Sequence, residues 1–261
     1  MAVQLLDARN GPELDHPSGT GGVGTYIIAS VPRSGSTLLA RLLWDTGWVG
    51  SPKEYLNPMQ LRDWEVRLGR SPSRWLHGRL HGAAVGAIVG RGWSERRLAG
   101  HLERVRCRRS SGGWFGLKLH HHHFVRYGGL SFVDRVLPGA RWLRISRRDR
   151  LGQAISWQRA LESGQWAAWQ PTGEPVRYRR SRIQQRLAAI EQAETGWDRA
   201  LEDRPVWQVT YEALVEDPRA TLQSALNWLD VDRLVDEPQL PMRRQADAVT
   251  AEWRAHWTAG I

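Results

Sequence analysis

The sequence predicts an α/β fold in which helices cover both faces of a central parallel sheet, making a three-layer sandwich. Short apolar runs that suit buried strands alternate along the chain with stretches whose apolar residues recur at helical spacing. This alternation is typical of parallel sheets, which bind ligands at the carboxyl edge of their strands. A length of 261 residues suits one large domain. We therefore expect a single domain over residues 25–261, preceded by a flexible leader over residues 1–24.

Residues 26–43 contain the first predicted strand, loop and helix. An apolar, β-branched run from Tyr26 suits a buried strand. The helix that follows has four leucines on one face, at positions 38, 39, 42 and 43. Between them, the unpaired N–H groups of Gly35, Ser36 and Thr37 lie at the positive end of the helix dipole. This arrangement predicts an anion-binding site, which we call the anion seat.

The loop of the anion seat is P-loop-like but lacks a lysine. In the nucleotide-triphosphate motif GxxxxGK[ST], the lysine after the second glycine binds the terminal phosphates. Ser36 occupies that position here, which disfavours a nucleotide kinase, and Arg33 supplies a cation instead. The loop therefore predicts a site for one phosphate or phosphosulfate group. The structural alternative is that residues 34–37, with Ser34 and Thr37 at their ends, only cap the helix.

The remaining elements follow in chain order. Residues 71–92 are rich in glycine and remain unassigned. Helices are predicted over residues 59–69, 94–109, 130–137, 149–164, 181–203 and 218–229, and strands over 115–119, 140–146 and 205–211. Ser94 and Asp149 are the expected N-caps of two of these helices. Lys118 and Arg148 each stand near the end of a predicted strand, as does the anion seat.

Composition restricts the class of protein. The formal net charge is +10, with 37 Lys and Arg residues against 27 Asp and Glu residues, which favours anionic partners. The arginines are spread along the chain, so a polyanionic small molecule explains the charge as well as nucleic acid does. Cys107 is the only cysteine, which predicts a reducing compartment, by default the cytoplasm. No apolar run approaches the roughly 18 residues of a membrane helix, and we expect no signal peptide.

Two further groups of residues, four histidines and two tryptophans, could belong to a functional site. The consecutive residues His120 to His123 could bind a metal, but neighbours on an extended segment point to opposite faces, so we expect no metal site. Trp166 and Trp169 would suit a pocket for a sugar or a flat aromatic acceptor, because aromatic faces pack on C–H surfaces. The alternative is that they are ordinary core residues.

Two segments together resemble a known family. Residues 32–39 and residues 148–157 are similar to the two cofactor signatures of sulfotransferases that use 3′-phosphoadenosine 5′-phosphosulfate (PAPS), including an arginine and a serine eight positions apart, here Arg148 and Ser156. Residues 52–55, 115–119, 244–247 and 252–253 resemble the actinobacterial Stf0 branch, a trehalose 2-sulfotransferase-like family. The resemblance covers roughly residues 26–257.

The resemblance implies a set of site residues. PAPS would donate the sulfuryl group and leave as adenosine 3′,5′-bisphosphate (PAP), with no metal required. The 5′-phosphosulfate would be bound by Arg33 and residues 34–37, namely Ser34, Gly35, Ser36 and Thr37. The 3′-phosphate would be bound by Arg148 and Ser156, with Arg243 or Arg244. Lys118 would stabilise the charge that develops on the departing group.

The resemblance leaves the general base and the acceptor open. Similarity to Stf0 implies Glu54, whereas Lys118 followed by His120 also resembles the lysine and histidine pair of cytosolic and Golgi sulfotransferases, in which the histidine is the base. The acceptor is expected to be a small hydroxylated molecule, either carbohydrate-containing or a secondary metabolite, and the resemblance implies a homodimer. The rival from another class is a basic nucleotide- or nucleic-acid-binding module without catalysis.

Overall fold

A four-stranded parallel sheet lies at the centre of the computed structural model, which describes residues 7–17, 24–68, 93–166, 176–236, 238 and 248–260. The strands are β1 (Gly24–Ser30), β2 (Trp114–His120), β3 (Arg141–Ser146) and β4 (Val206–Thr210), in the order β2-β1-β3-β4. In the register of the sheet, Ser30 at the end of β1 lies opposite His120 at the end of β2. The loops that follow these strands therefore meet at one edge of the sheet.

Helices cover both faces of this sheet. In the described residues they are α1 (Ser36–Asp45), α2 (Pro58–Arg67), α3 (Glu95–Arg109), α4 (His121–Arg126), α5 (Gly129–Val136), α6 (Arg150–Ser163), α7 (Arg180–Ala200), α8 (Tyr211–Glu216), α9 (Pro218–Trp228) and α10 (Ala248–Thr258). None of the helices in these ranges is long and apolar enough to cross a membrane.

Two separate hydrophobic cores confirm the three-layer α/β prediction. Successive side chains of β1 alternate between the two cores, because side chains of a strand point to opposite faces. Ile27 packs in the same core as Trp197 of α7, whereas Ile28 packs with Leu39 and Leu43 of α1 in the other. The leucine stripe predicted for the first helix is buried as expected. The predicted caps are also confirmed: Asp149 Oδ1 accepts the Gly152 N–H at 2.9 Å, and the Ser94 hydroxyl accepts the Arg97 N–H.

Some details of the secondary structure differ from the prediction. Strand β2 continues through His120, and His121 to His123 begin helix α4 instead of continuing an extended segment. The prediction of an extended run was therefore wrong, because the chain turns where the strand reaches the edge of the sheet. Helices α8 and α10 were not predicted. Residues 71–92 lie outside the described residues.

Part of the expected leader packs against the domain. Residues 7–17 contain two 3-10 turns, Ala8–Asn10 and Pro12–Leu14, and the Asn10 side chain is completely buried. Residues 7–17 of the expected leader are therefore in contact with the domain, and the flexibility of the leader stays a prediction. This segment has no apolar stripe, and polar contacts join it to the domain. The start of the domain at residue 25 remains a prediction.

Candidate active site

The anion seat has the backbone shape that its sequence suggested. Gly35 adopts φ 91°, and Arg33 adopts φ 66°, which is rare for a residue with a side chain. A Cβ atom on Gly35 would lie 2.5 Å from the Tyr211 ring, so no side chain fits there. Ser34 is fully buried, and its hydroxyl has no hydrogen-bond partner among the described residues. The Gln153 amide donates to the Pro32 carbonyl at 2.9 Å and connects the loop to α6.

A carboxylate cluster lies beside the anion seat. Glu54 Oε1 is 2.7 Å from Lys118 Nζ and 3.2 Å from His120 Nε2, while Asn57 donates to Glu54 Oε2 at 2.8 Å. Lys118 Nζ also donates to the hydroxyl of Thr37, at 2.9 Å. Lys118 therefore bridges the carboxylate to the first turn of α1, where the anion seat lies.

Main-chain pairing at the edge of the sheet assembles this cluster. The Lys118 N–H donates to the Lys53 carbonyl at 2.9 Å, so the residue before Glu54 pairs with β2. Lys118 and His120 are two positions apart on β2, which directs both side chains to the same face. The Ser30 hydroxyl contacts His120 Nδ1 at 3.0 Å and orients the ring.

The cluster strongly perturbs the protonation of its members. Burial by itself would raise the pKa of the Glu54 carboxyl, but Lys118 and His120 outweigh burial and hold that pKa well below its usual range. An ionised carboxylate only accepts hydrogen bonds, so His120 Nε2 carries the proton of their contact. Burial lowers the pKa of His122 to about 4 and that of His123 to about 3, which keeps both rings neutral at physiological pH.

Ser156, in the second cofactor signature (residues 148–157), contacts Arg33 in the first (residues 32–39). Arg33 Nε donates to the Ser156 hydroxyl at 2.8 Å, across 123 positions of sequence. Burial, together with the nearby positive charge of Arg147, lowers the pKa of Arg33 to about 10. The Arg148 side chain is 67% exposed, and its Nε lies 3.7 Å from Glu212. The structure thus brings Ser156 to Arg33, while Arg148 pairs with Glu212.

Two residues beside the anion seat, Arg147 and Tyr211, were not predicted from the sequence. The Arg147 side chain is 16% exposed, its guanidinium lies 5.0 Å from the centre of the Tyr211 ring, and its Nε has no partner within the described ranges. Arg147 could have been noticed as the first polar residue after β3, but no sequence signal pointed to Tyr211. Trp166 is 42% exposed, and its carbonyl accepts from Arg33. Three predicted residues, Trp169, Arg243 and Arg244, lie outside the described residues.

The fold and these two clusters define a class of protein. A parallel sheet presents a strand–loop–helix turn that lacks the lysine of nucleotide-triphosphate sites, and Lys118 connects this turn to the Glu54 carboxylate. This arrangement is typical of an enzyme that transfers a group from an anionic donor. In the part of the chain that the structure describes, no three His, Cys, Asp or Glu side chains are grouped as metal ligands.

Comparisons with known proteins give the family. The family model for Stf0 sulphotransferase matches residues 25–259, so the chain belongs to the Stf0 family and is a sulfotransferase. It is 24% identical, over 88% of its length and 93% of the relative, to a trehalose 2-sulfotransferase of Mycobacterium tuberculosis (strain ATCC 35801 / TMC 107 / Erdman).

Similar solved structures are also sulfotransferases. A sulfotransferase domain from the curacin biosynthetic pathway shares 18% identity, with a TM-score of 0.48 over 86% of this chain and 78% of that one. A sulfotransferase domain from the olefin synthase of Synechococcus PCC 7002 shares 22% identity, with a TM-score of 0.46 over 92% of this chain and 90% of that one.

Proposed function

We propose that this enzyme transfers the sulfuryl group of PAPS to a hydroxyl of a carbohydrate-containing or secondary-metabolite acceptor, with Glu54 as the general base. One observation carries the proposal: Lys118 Nζ contacts both Thr37 Oγ1 at the anion seat and Glu54 Oε1. This contact couples the site suited to the donor with the group suited to activating the acceptor.

The residues at the anion seat fit a phosphosulfate donor. The orphaned hydroxyl of Ser34 and the N–H groups at the start of α1 are donors for anionic oxygens. The positive charges of Arg33 and Arg147 repel each other beside the anion seat, and an anion bound between them would relieve that repulsion. Ser156, within reach of Arg33, together with Arg148 is suited to the 3′-phosphate.

The reaction requires one proton transfer and one exchange of bonds at sulfur. The acceptor oxygen forms a bond to sulfur while the bond from sulfur to the bridging phosphate oxygen breaks, and the electron pair leaves with PAP. Glu54 takes the proton of the acceptor hydroxyl. Lys118 and Arg33 stabilise the negative charge that develops on the bridging oxygen.

Lys118 also controls how basic Glu54 is. A general base works best when its pKa is near the working pH, and the present contacts hold the pKa of Glu54 well below its usual range. When Lys118 turns from Glu54 towards the donor, the strongest electrostatic contact on Glu54 weakens and its pKa rises. Donor binding would therefore activate the base.

The contact between the two candidate bases favours Glu54. His120 Nε2 faces Glu54 Oε1 at 3.2 Å and donates to it, so this nitrogen has no free lone pair for the acceptor proton. His120 then orients Glu54 and stabilises its charge. The similarity to a trehalose 2-sulfotransferase and the exposed Trp166 support a sugar-containing acceptor.

The test compares turnover of separate Glu54→Gln and His120→Ala variants. A panel of hydroxylated acceptors is incubated with labelled phosphosulfate donor, and product is detected by the mass gain of one sulfonate. We expect Glu54→Gln to lower kcat by about 100-fold or more with PAP affinity retained, since general bases contribute about 10²–10⁴-fold. His120→Ala should cost about 10-fold, because it removes one orienting hydrogen bond.

Glu95→Gln is the matched control. Glu95 is an exposed glutamate on α3 that pairs with Arg135, and its replacement should leave kcat unchanged. Full turnover in Glu54→Gln combined with loss in His120→Ala would assign the base to His120. A protein that shows no saturable PAP affinity, and whose binding of nucleic acid falls steeply with salt, would overturn the enzymatic proposal.

A further inference from the structure

The loop that carries Glu54 is tied to a distant part of the chain. The neighbouring residue, Lys53, extends its side chain away from the site, and that side chain is only 6% exposed. Lys53 Nζ donates to Asn10 Oδ1 at 2.7 Å and to Asp7 Oδ2 at 3.1 Å. We call residues 7–17 the N-terminal clasp.

The clasp is itself anchored on the domain by buried polar contacts. The Asn10 amide and the Asp7 N–H both donate to Asp63 Oδ2 on α2, at 3.0 and 2.9 Å. Asn10 and Asp63 are completely buried, so each of these hydrogen bonds is costly to leave unmade. Further contacts join the clasp to α2 and α3: Asp15 pairs with Arg67 and Arg109, and the Gly11 carbonyl accepts from Arg109.

The clasp contacts the Glu54 loop at a second point. His16 Nε2 lies 2.9 Å from the Ser51 hydroxyl, and the Ser51 N–H donates to the Arg109 carbonyl. Ser51 and Lys53 both precede Glu54 closely. The clasp thus contacts the side chains of two residues just before Glu54. The main-chain hydrogen bond from the Lys118 N–H to the Lys53 carbonyl holds the same segment from the other direction.

The contacts of Lys53 explain how the clasp can affect the position of the Glu54 carboxylate. Lys53 and Glu54 share one peptide plane, so a shift of the Lys53 side chain rotates the plane that directs Glu54. Burial lowers the pKa of Lys53 to about 7, even though Asp7 opposes that shift. Without Asp7 and Asn10, the Lys53 ammonium would be buried near the positive charge of Arg109, and the loop would move to expose it to water.

We propose that the N-terminal clasp is a positioning element of the active site, which holds the Glu54 carboxylate in its catalytic geometry through Lys53. The inference rests on the proposed role of Glu54. It assigns positioning residues, Asp7, Asn10 and Lys53, that touch neither donor nor acceptor.

Two variants test the clasp from its two sides, using the full-length enzyme. Asp7→Ala/Asn10→Ala removes the partners of Lys53, and Lys53→Met removes the ammonium but keeps most of the stem. We expect each to lower kcat by about 10-fold while PAP affinity stays within about twofold, because small misplacements of a catalytic group cost one to two orders of magnitude. Asp134→Ala, which removes a carboxylate from the ion pair with Arg204, is the control and should retain kcat.

A double-mutant cycle separates positioning from a general loss of structure. In a Glu54→Gln background, the clasp variants should cause no further loss of turnover, because the group that they position has been removed. A purely structural role would lower turnover by the same factor in both backgrounds, and that result would overturn the inference. Unchanged kcat in both clasp variants would also overturn it. High activity of Glu54→Gln alone would instead contradict the proposed function.

Discussion

The proposed donor side and the proposed acceptor side of this site are built in different ways. The anion seat is made from consecutive residues, 33–37, and the hydrogen-bond donors proposed for it are backbone N–H groups at the start of α1. The carboxylate cluster joins side chains from two segments about sixty positions apart, Glu54 on one side and Lys118 and His120 on the other. The seat therefore depends on backbone shape, whereas the cluster depends on charge and on long-range packing.

This difference predicts which substitutions and pH changes each side of the site tolerates. A backbone site should be sensitive to added volume at its glycine and insensitive to pH. An ionic cluster should be sensitive to pH and to removal of any one charge, since each member sets the protonation of the others. Lys118 belongs to both sides, because it contacts Thr37 as well as Glu54.

The largest expected effect on PAP affinity comes from adding one methyl group to the anion seat. Gly35→Ala places a Cβ 2.5 Å from the Tyr211 ring at φ 91°, so the start of α1 must move. We expect PAP affinity to fall by about 100-fold, equivalent to about 2.8 kcal/mol, measured by titration calorimetry.

Gly47→Ala is the matched control for this substitution. Gly47 has φ 69° but no atom within 4 Å of an added Cβ. It should lose about 1–2 kcal/mol of stability from the left-handed conformation while keeping PAP affinity. Equal loss of PAP affinity in both variants would show that local strain, and not the shape of the seat, causes the effect.

Smaller effects should distinguish the two arginines after β3. Arg147 lies beside the anion seat and should contribute to the 5′ side of the donor, whereas Arg148 is assigned to the 3′-phosphate by resemblance. Arg147→Ala should weaken both PAP and adenosine 5′-phosphate by about 10-fold, and Arg148→Ala should weaken PAP alone by a similar factor, as expected for one charged hydrogen bond. If Arg148→Ala leaves PAP affinity unchanged, its contact with Glu212 is its main role.

The contrast between local backbone shape and long-range packing also separates what the sequence could predict from what it could not. The strands, the leucine face of α1 and the caps arise from local patterns, and the structure confirms them. The backbone turn at Gly35 also follows from a local pattern, and its use as an anion seat belongs to the proposed function. The direction of the Arg148 side chain could not be predicted, because the loop after a strand has no fixed periodicity. The contact between Glu54 and His120 depends on pairing between Lys53 and β2, which no local pattern encodes.

The clasp shows a second limit of sequence reasoning. Residues 7–17 lack an apolar stripe, so they were expected to be flexible. Their attachment comes from the buried amide of Asn10 and from Asp7, and such polar residues have the same appearance in a disordered leader. Buried polar contacts between distant segments become visible only in the folded structure.

The smallest expected effect is a pH dependence of stability that Glu54 of the carboxylate cluster should contribute and Ser36 of the anion seat should not. The folded-state pKa of Glu54 lies well below its ordinary value of 4.5, so the folded protein binds fewer protons there than the unfolded chain. The carboxylate therefore contributes stability above about pH 4.5, and this contribution disappears as the pH falls through the lowered pKa. Wild type should be more stable than Glu54→Gln at pH 7, and urea unfolding should show this difference in free energy of unfolding becoming smaller below pH 4.5.

Ser36→Ala, which alters the anion seat without removing a charge, should differ from wild type by the same amount throughout this range. A gap for Glu54→Gln that stays constant with pH would mean that Glu54 stabilises the fold by packing and hydrogen bonding alone, and that the two sides of the site do not differ as their construction implies.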